Sequence, residues 1–230
     1  MIDGFIHIYA INNWKEIVSN QISKMKKSGL WNEISTLFIG IIGEEKFNIV
    51  HDDRIEIYKG KSTDYESLTL GLVKTIAEIS DSQFFYIHTK GVSHLSKSRG
   101  KVKAQSDWRE MMEYYIIERY KSCLRELKTC DIVGINWHLG DEYMNASAKT
   151  CGGITPTPHF SGNFWWTNSE YIRKLPSILP IRNKYECEFW IGKGRPRVAE
   201  LLHTGVYHHR KEYPRNLYEN KEEIKYYDYR

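Results

Sequence analysis

The chain has 230 residues, 41% of them hydrophobic, and a formal net charge of +4. That is enough apolar material to bury the core of one domain, and neither a disordered chain nor a polycation fits. No apolar run approaches the roughly 20 residues needed to cross a bilayer. Asp3 and His7 interrupt the stretch where a signal peptide needs an unbroken apolar region, so a cytoplasmic protein is expected.

Phe5 to Ile11 is β-branched or aromatic with alternation, which suits a first strand, and Asn12 and Asn13 are placed to cap a helix beginning near Trp14. Trp14, Ile17, Val18, Ile22 and Met25 recur at helical spacing, and Gly29 supplies a stop. Strands follow over Thr36 to Ile42 and Ile55 to Tyr58. Thr63 and Glu66 form a capping-box pattern ahead of a helix with Leu68, Leu72, Val73, Ile76 and Ile79 on one face. Phe84 to Ile87 reads as a strand buried on both faces that empties into His88, Thr89, Lys90 and Gly91.

From Gly91 to about Ser106 the pattern is a long polar, basic loop, after which Asp107 is expected to cap a helix. Asp131 to Trp137 is another buried strand, and the stretch from Leu139 to Pro158, with Gly152 in it, should be irregular. His159 to Thr167 reads as a strand with a bulge at Gly162, and Ser169 opens a short helix. Tyr185 to Ile191 is expected to be helical, Val198 to Leu202 a strand, and the tail from Glu212 a peripheral helix. Strands alternating with helices predict an α/β fold with a central mixed, mostly parallel sheet flanked by helices: one domain over 1–230, with a Rossmann-like nucleotide-binding half to about 106 and an acceptor-binding half after it.

Positive charge gathers in Lys90, Lys97, Arg99, Lys101 and Lys103 and again in Arg195, Arg197, Arg210, Lys211 and Arg215. Patches of this kind suit the diphosphate of a small ligand, an anionic membrane surface or nucleic acid, and nucleic acid is not the partner expected. Neither G-x-G-x-x-G after the first strand nor a P-loop is present. Cys123, Cys130, Cys151 and Cys187 lack zinc spacing and are expected to be reduced and buried.

Three further places gather chemistry. In HFSGNFWW, His159, Ser161, Gly162, Asn163, Trp165 and Trp166 combine aromatic faces with polar groups, as a sugar ring requires, and only one of the two tryptophans can line a pocket. In RNKYECEFW, Glu186 and Glu188 lie two apart, so at most one points into a site, and Glu188, against the aromatic pair, is the better general base; the alternative is helix-dipole complementation or pairing with Arg182. His203 follows a strand and offers one metal ligand, with His208 and His209 behind it.

The HTKG strand end, DIVGINW, HFSGNFWW, the E-x-E-F-W helix and the late histidine, with SGLW near residue 30 and YESLTL near 68, resemble a family of small GT-A fold glycosyltransferases. Such proteins occur in bacterial surface-polysaccharide clusters and as the first domain of a large algal virus protein. The resemblance implies a GT-A-like fold and an inverting transfer from a nucleotide sugar, a UDP-sugar, to a glycan hydroxyl. It places Tyr9 and Ala10 near the base, His88, Thr89, Lys90, Gly91 and Arg109 at the nucleotide, Glu188 as base, and Glu186 with the HFSGNFWW residues at the substrate. Where many relatives carry Asp-x-Asp, this chain has His88-Thr89-Lys90. Either His88 and His203 help bind manganese or magnesium, or Lys90 substitutes for the metal's charge. A nucleotidyltransferase and a non-catalytic glycan- or nucleic-acid-binding module are the rival readings. All of this requires that positions near 90, 162 and 188 meet at one rim of the sheet.

Overall fold

The structure, a computed structural model, describes residues 1–43, 52–94, 99–140, 151, 153–181 and 183–230; the expectations for Lys97, Gly152 and Arg182 lie outside them. The strands are β1 (Ile2–Tyr9), β2 (Ile34–Ile42), β3 (Ile55–Gly60), β4 (Gln83–His88), β5 (Ile132–Gly134), β6 (Trp137–His138), β7 (His159–Phe160), β8 (Trp165–Asn168), β9 (Arg197–Glu200) and β10 (Lys225–Asp228). Eight form one sheet in the order β10-β9-β5-β8-β4-β1-β2-β3, and β6 pairs with β7 separately. β1 runs parallel to β2 and β4, β2 to β3, and β5 to β9. β8 is antiparallel to β4 and β5, and β10 to β9. This is an α/β fold with a mixed, mostly parallel sheet flanked by helices, as the alternation of patterns predicts.

β1 is central because every residue from Ile2 to Ile8 is buried, the signature of a parallel strand covered on both faces. On one face Ile6, Ile8, Phe85, Ile87 and Trp166 pack under helix α1 (Trp14–Ser28) and the helical run from 99 to 126. On the other, Phe5, Phe84, Tyr86 and Trp165 pack under α3 (Ser67–Ile79) and α6 (Ser169–Lys174). The tryptophans of β8 therefore both fill core, one on each face, and both are fully buried. The single-tryptophan expectation fails because β8 is itself an interior strand with helices over both its faces.

α1 buries the apolar stripe read from the sequence and stops at Gly29, whose φ of 87° suits a residue without a Cβ. Asn13 makes no side-chain cap. Asn12 instead donates from Nδ2 to the Val92 carbonyl at 2.6 Å, tying the chain after β1 to the loop after β4. α2 (Leu30–Glu33) leads into β2. In α3 the buried face is Ser67, Thr69, Leu70, Val73 and Ala77, while Ile79 is 79% exposed. The stripe is rotated because Gly40 of β2 has no side chain, which lets Thr69 close on the sheet.

α4 (Arg99–Glu113) begins before the expected Asp107, so the basic stretch is partly helix and the loop after β4 is correspondingly shorter. Asp107 lies inside that helix, where it accepts from Lys103 and from the Tyr213 backbone N–H at 3.1 Å. A π-helical segment, Tyr114–Glu118, closes with Arg119 N–H on the Tyr114 carbonyl at 2.9 Å, and α5 (Tyr120–Glu126) follows. DIVGINW and HFSGNFWWT each split between two sheets. In the second, Gly162 at φ 93° and Asn163 at φ 59° form a turn where a bulge was expected. The tail makes a single turn at Arg215–Leu217 and then β10, an added strand in place of the expected helix. All four cysteines are buried thiols outside any disulfide, and no helix among the described residues is long and apolar enough to cross a membrane.

Candidate functional site

From β1 the chain proceeds outward to β2 and β3, whereas β4 adds on the opposite side of β1. Where successive connections diverge in this way, a crevice opens beyond the carboxyl ends of the two strands. A cleft of about 380 Å³ lies there. β1 contributes His7 and Tyr9, and β4 and its turn contribute His88 to Ser93. The turn before α3 supplies Ser62, Tyr65 and Glu66, α4 supplies Gln105, and the segment around α7 (Tyr185–Phe189) supplies Lys184 and Glu188; His209 completes the wall.

Glu66 sits at the base. Tyr86 Oη and Asn163 Nδ2 both donate to its Oε2, each at 2.7 Å. Burial acts to raise its pKa, but His88, His7 and these two bonds outweigh burial and hold it below the ordinary glutamate value. His7 Nδ1 is bonded to Thr69 Oγ1 at 2.9 Å, and burial pushes the His7 pKa down to about 4, so the ring is neutral at pH 7. His88 Nε2 donates to the Gly162 carbonyl at 2.8 Å, which fixes the tautomer because a carbonyl can only accept. Burial lowers His88 as well, against the pull of Glu66. Thr89 is clasped to β1: its N–H donates to the His7 carbonyl and its Oγ1 accepts from Tyr9 N–H, both at 3.0 Å.

Lys90 and Glu188 form the second charge centre. Lys90 Nζ lies 4.0 Å from the centroid of the Trp108 ring, a cation–π contact. Burial lowers the Lys90 pKa, opposed first by Glu188 and then by Glu66. Burial raises the Glu188 carboxyl, opposed first by Lys90. Each is thus the strongest charged influence on the other. Two carboxyl groups in one cleft, Glu66 pushed down and Glu188 pushed up, have environments suited to different chemical roles.

The cleft brings together Tyr9, His88, Thr89, Lys90, Gly91 and Glu188 of the residues expected from sequence. Gly162 and Asn163 join through their bonds to His88 and Glu66. Ala10 is buried beside the cleft without lining it, its N–H on the Ile42 carbonyl. Arg109 does not line the cleft; it donates to the Lys90 carbonyl at 3.0 Å and pairs with Glu113. His159 is fully buried, Nδ1 donating to the Thr157 carbonyl and its ring edge-on to Phe189. Ser161 is held by its backbone on the Asn136 carbonyl. Trp165 donates from Nε1 to Asn163 Oδ1 at 2.8 Å and stacks on Tyr86, so it supports the cleft from below. Trp166 donates to the Ile116 carbonyl, away from the site. Glu186 is buried and does not line the cleft.

A divalent cation fits these residues poorly. His88 spends Nε2 on Gly162, and His203 donates from Nδ1 to buried Glu200 at 2.8 Å outside the cleft. Among the described residues no group of three or more His, Cys, Asp or Glu side chains is arranged to hold a metal ion. His203 and His88 are therefore not two ligands of one site here.

Sequence reasoning missed His7, Tyr65, Glu66 and Lys184. Glu66 was hidden by its capping-box position; as the N-cap of α3 its side chain makes no cap bond, and it lines the cleft instead. Tyr65 has φ 49° and ψ −142°, a conformation rare for a residue with a Cβ, and the residue, 42% exposed, lines the cleft.

The fold and site define an α/β protein with a charged cleft at its topological switch point. The chain belongs to the family described as Domain of unknown function (DUF8361), whose model matches residues 5–188. That span contains every residue of the cleft except His209. A search of curated proteins finds no match.

Proposed function

We propose that this protein is an inverting GT-A type glycosyltransferase that moves a sugar from a nucleotide-sugar donor, a UDP-sugar, to a hydroxyl of a surface or capsid glycan. The observation that carries this reading is that Lys90 and Glu188 line one cleft at the switch point, each the largest charged influence on the other. Such a transfer needs a base for the acceptor proton and a cation for the departing diphosphate. The sheet order β3-β2-β1-β4 followed by the antiparallel β8, and the resemblance in HTKG and SGNFWW, favour the same reading.

In the proposed reaction the acceptor hydroxyl gives its proton to the Glu188 carboxylate as its oxygen bonds to the anomeric carbon. The bond from that carbon to the diphosphate oxygen breaks on the opposite face, and its electron pair leaves with the nucleoside diphosphate. Inversion follows from that geometry. Lys90, with Lys184 at the same cleft, meets the released negative charge. Burial serves both groups: a raised carboxyl is a better base, and a poorly solvated ammonium gains more from an arriving phosphate. No step is assigned to a metal ion.

The test is incubation of the protein with a panel of nucleotide sugars and a glycan acceptor. One donor is expected to release nucleoside diphosphate and yield a product of opposite anomeric configuration. Absence of turnover together with absence of donor binding by calorimetry would overturn the proposal.

A further inference from the structure

We infer that Glu66 recognises the transferred sugar, its cleft-facing carboxylate oxygen accepting hydrogen bonds from that sugar's hydroxyl groups and so selecting the donor by its hydroxyl pattern. This rests on the donor reading of the cleft given above.

Glu66 is built as a fixed acceptor. Both protein donors, Tyr86 Oη and Asn163 Nδ2, fall on Oε2. Among the described residues Oε1 accepts no bond, and it is not a buried atom lacking a partner, so it opens on the cleft that Glu66 lines. Two bonds on one oxygen lock the carboxylate plane, and a locked acceptor binds a ligand hydroxyl without a further ordering cost. The backbone fixes it from the other side: the strained conformation of Tyr65 turns the chain immediately before Glu66, and α3 begins immediately after it.

The chemistry of the ligand group follows from charge. An ionised carboxylate that makes no salt bridge with lysine or arginine among the described residues repels a phosphate and attracts a donor such as a hydroxyl. The cleft's cations, Lys90 and Lys184, are suited to the diphosphate instead. Within the cleft, Glu66 is felt electrostatically by both Lys90 and Glu188, the groups between which the glycosidic bond is exchanged. That places it by the sugar more than by the base or ribose, which lie farther along the nucleotide. A site built to bond a substrate hydroxyl discriminates strongly against a ligand lacking it, because the acceptor, once covered by the bound ligand, is then left unmatched.

Calorimetric titration of wild type and Glu66→Gln with uridine diphosphate, and with the nucleotide sugar that binds wild type best, tests the inference. The expected result is a loss of roughly tenfold or more in affinity for the nucleotide sugar, with uridine diphosphate affinity held within about twofold. Tyr86→Phe, which keeps the ring packing and removes one bond to Oε2, is expected to show the same selectivity with a smaller loss, and guards against a folding defect in Glu66→Gln. Unchanged affinity for both ligands in both variants overturns the assignment. Equal losses for both ligands also overturn it, by putting Glu66 on the nucleotide. Failure of wild type to bind any nucleotide sugar sinks the glycosyltransferase reading itself, a result distinct from either.

Discussion

Two strand ends in this sheet deliver a histidine, and they differ in what surrounds it. At the end of β4, His88 opens on a cleft with Glu66, Lys90 and Glu188, three charged groups whose pKa values are all displaced. After β9, His203 donates to Glu200, a carboxylate buried completely and already receiving the Trp137 N–H and the Tyr227 hydroxyl, the latter at 2.8 Å. The second cluster is the more completely bonded of the two. Its hydrogen-bonding capacity is spent on joining β6, β9 and β10. A polar strand end becomes a candidate site where charge is left unspent beside open volume, and becomes architecture where every group is matched.

The sharpest way to break this comparison is Glu188→Gln, expected to cost at least ~100-fold in turnover with nucleotide affinity retained. Nucleoside diphosphate release under saturating donor is the measurement, and near-normal turnover would show that the β4 cleft is not the reacting end. Lys90→Met comes next. It should weaken uridine diphosphate binding and turnover by roughly 10- to 100-fold, the scale of a lost charged hydrogen bond, with no recovery on adding manganese. Recovery would mean that a cation, not this ammonium, carries the charge.

Acid stability probes the buried histidines. Burial lowers His7, His159 and His208 to about 4. Because the unfolded chain protonates these rings near pH 6.5 and the folded protein resists until about 4, stability is lost as pH falls through that window. Each ring costs as much as about 2 kcal/mol at pH 5 relative to neutral pH, read by denaturant unfolding at the two pH values. The activity profile should fall on its acid side at a pH above the ordinary glutamate value, since burial raises Glu188 and the base works only when ionised.

Tyr65→Gly has opposite effects on fold and ligand. Relief of the φ 49° conformation is expected to stabilise the fold by about 1 kcal/mol, seen as a raised Tm, while removal of a side chain from the cleft lining weakens donor binding. The smallest effect belongs to His203→Asn. Glu200 keeps two other donors, so about 1 kcal/mol of stability is lost and turnover is unchanged. A collapse of turnover in that variant would place the β9 end in the site after all.

Much of this was legible in the residues. The buried run Phe84 to Ile87 ending in His88-Thr89-Lys90-Gly91 marks both a central strand and the cleft, because a strand covered on both faces must shed its polar groups at its end. Choosing Glu188 over Glu186 took the rule that helix residues two apart diverge and the place of Glu188 directly against Phe189 and Trp190. Other features were hidden for identifiable reasons. Glu66 carried a local explanation, the capping box, that a distant pair of donors overrides. One of Trp165 and Trp166 read as a sugar platform because the antiparallel insertion of β8 between β4 and β5 is a long-range pairing with no local signal. The start of α4 was obscured by its charge, since lysine and arginine suit a solvated loop and an exposed helix equally.

What the sequence alone determined was the alternation of strand and helix, the apolar faces of α1 and β4 and the parallel first half, all of them consequences of side-chain period within a few turns of chain. What only the tertiary structure decided was which charges meet. Glu66, Lys90, Asn163 and Glu188 are separated in turn by 24, 73 and 25 positions, and the bonds and charges that surround them come from the crevice that forms where β1 and β4 part company.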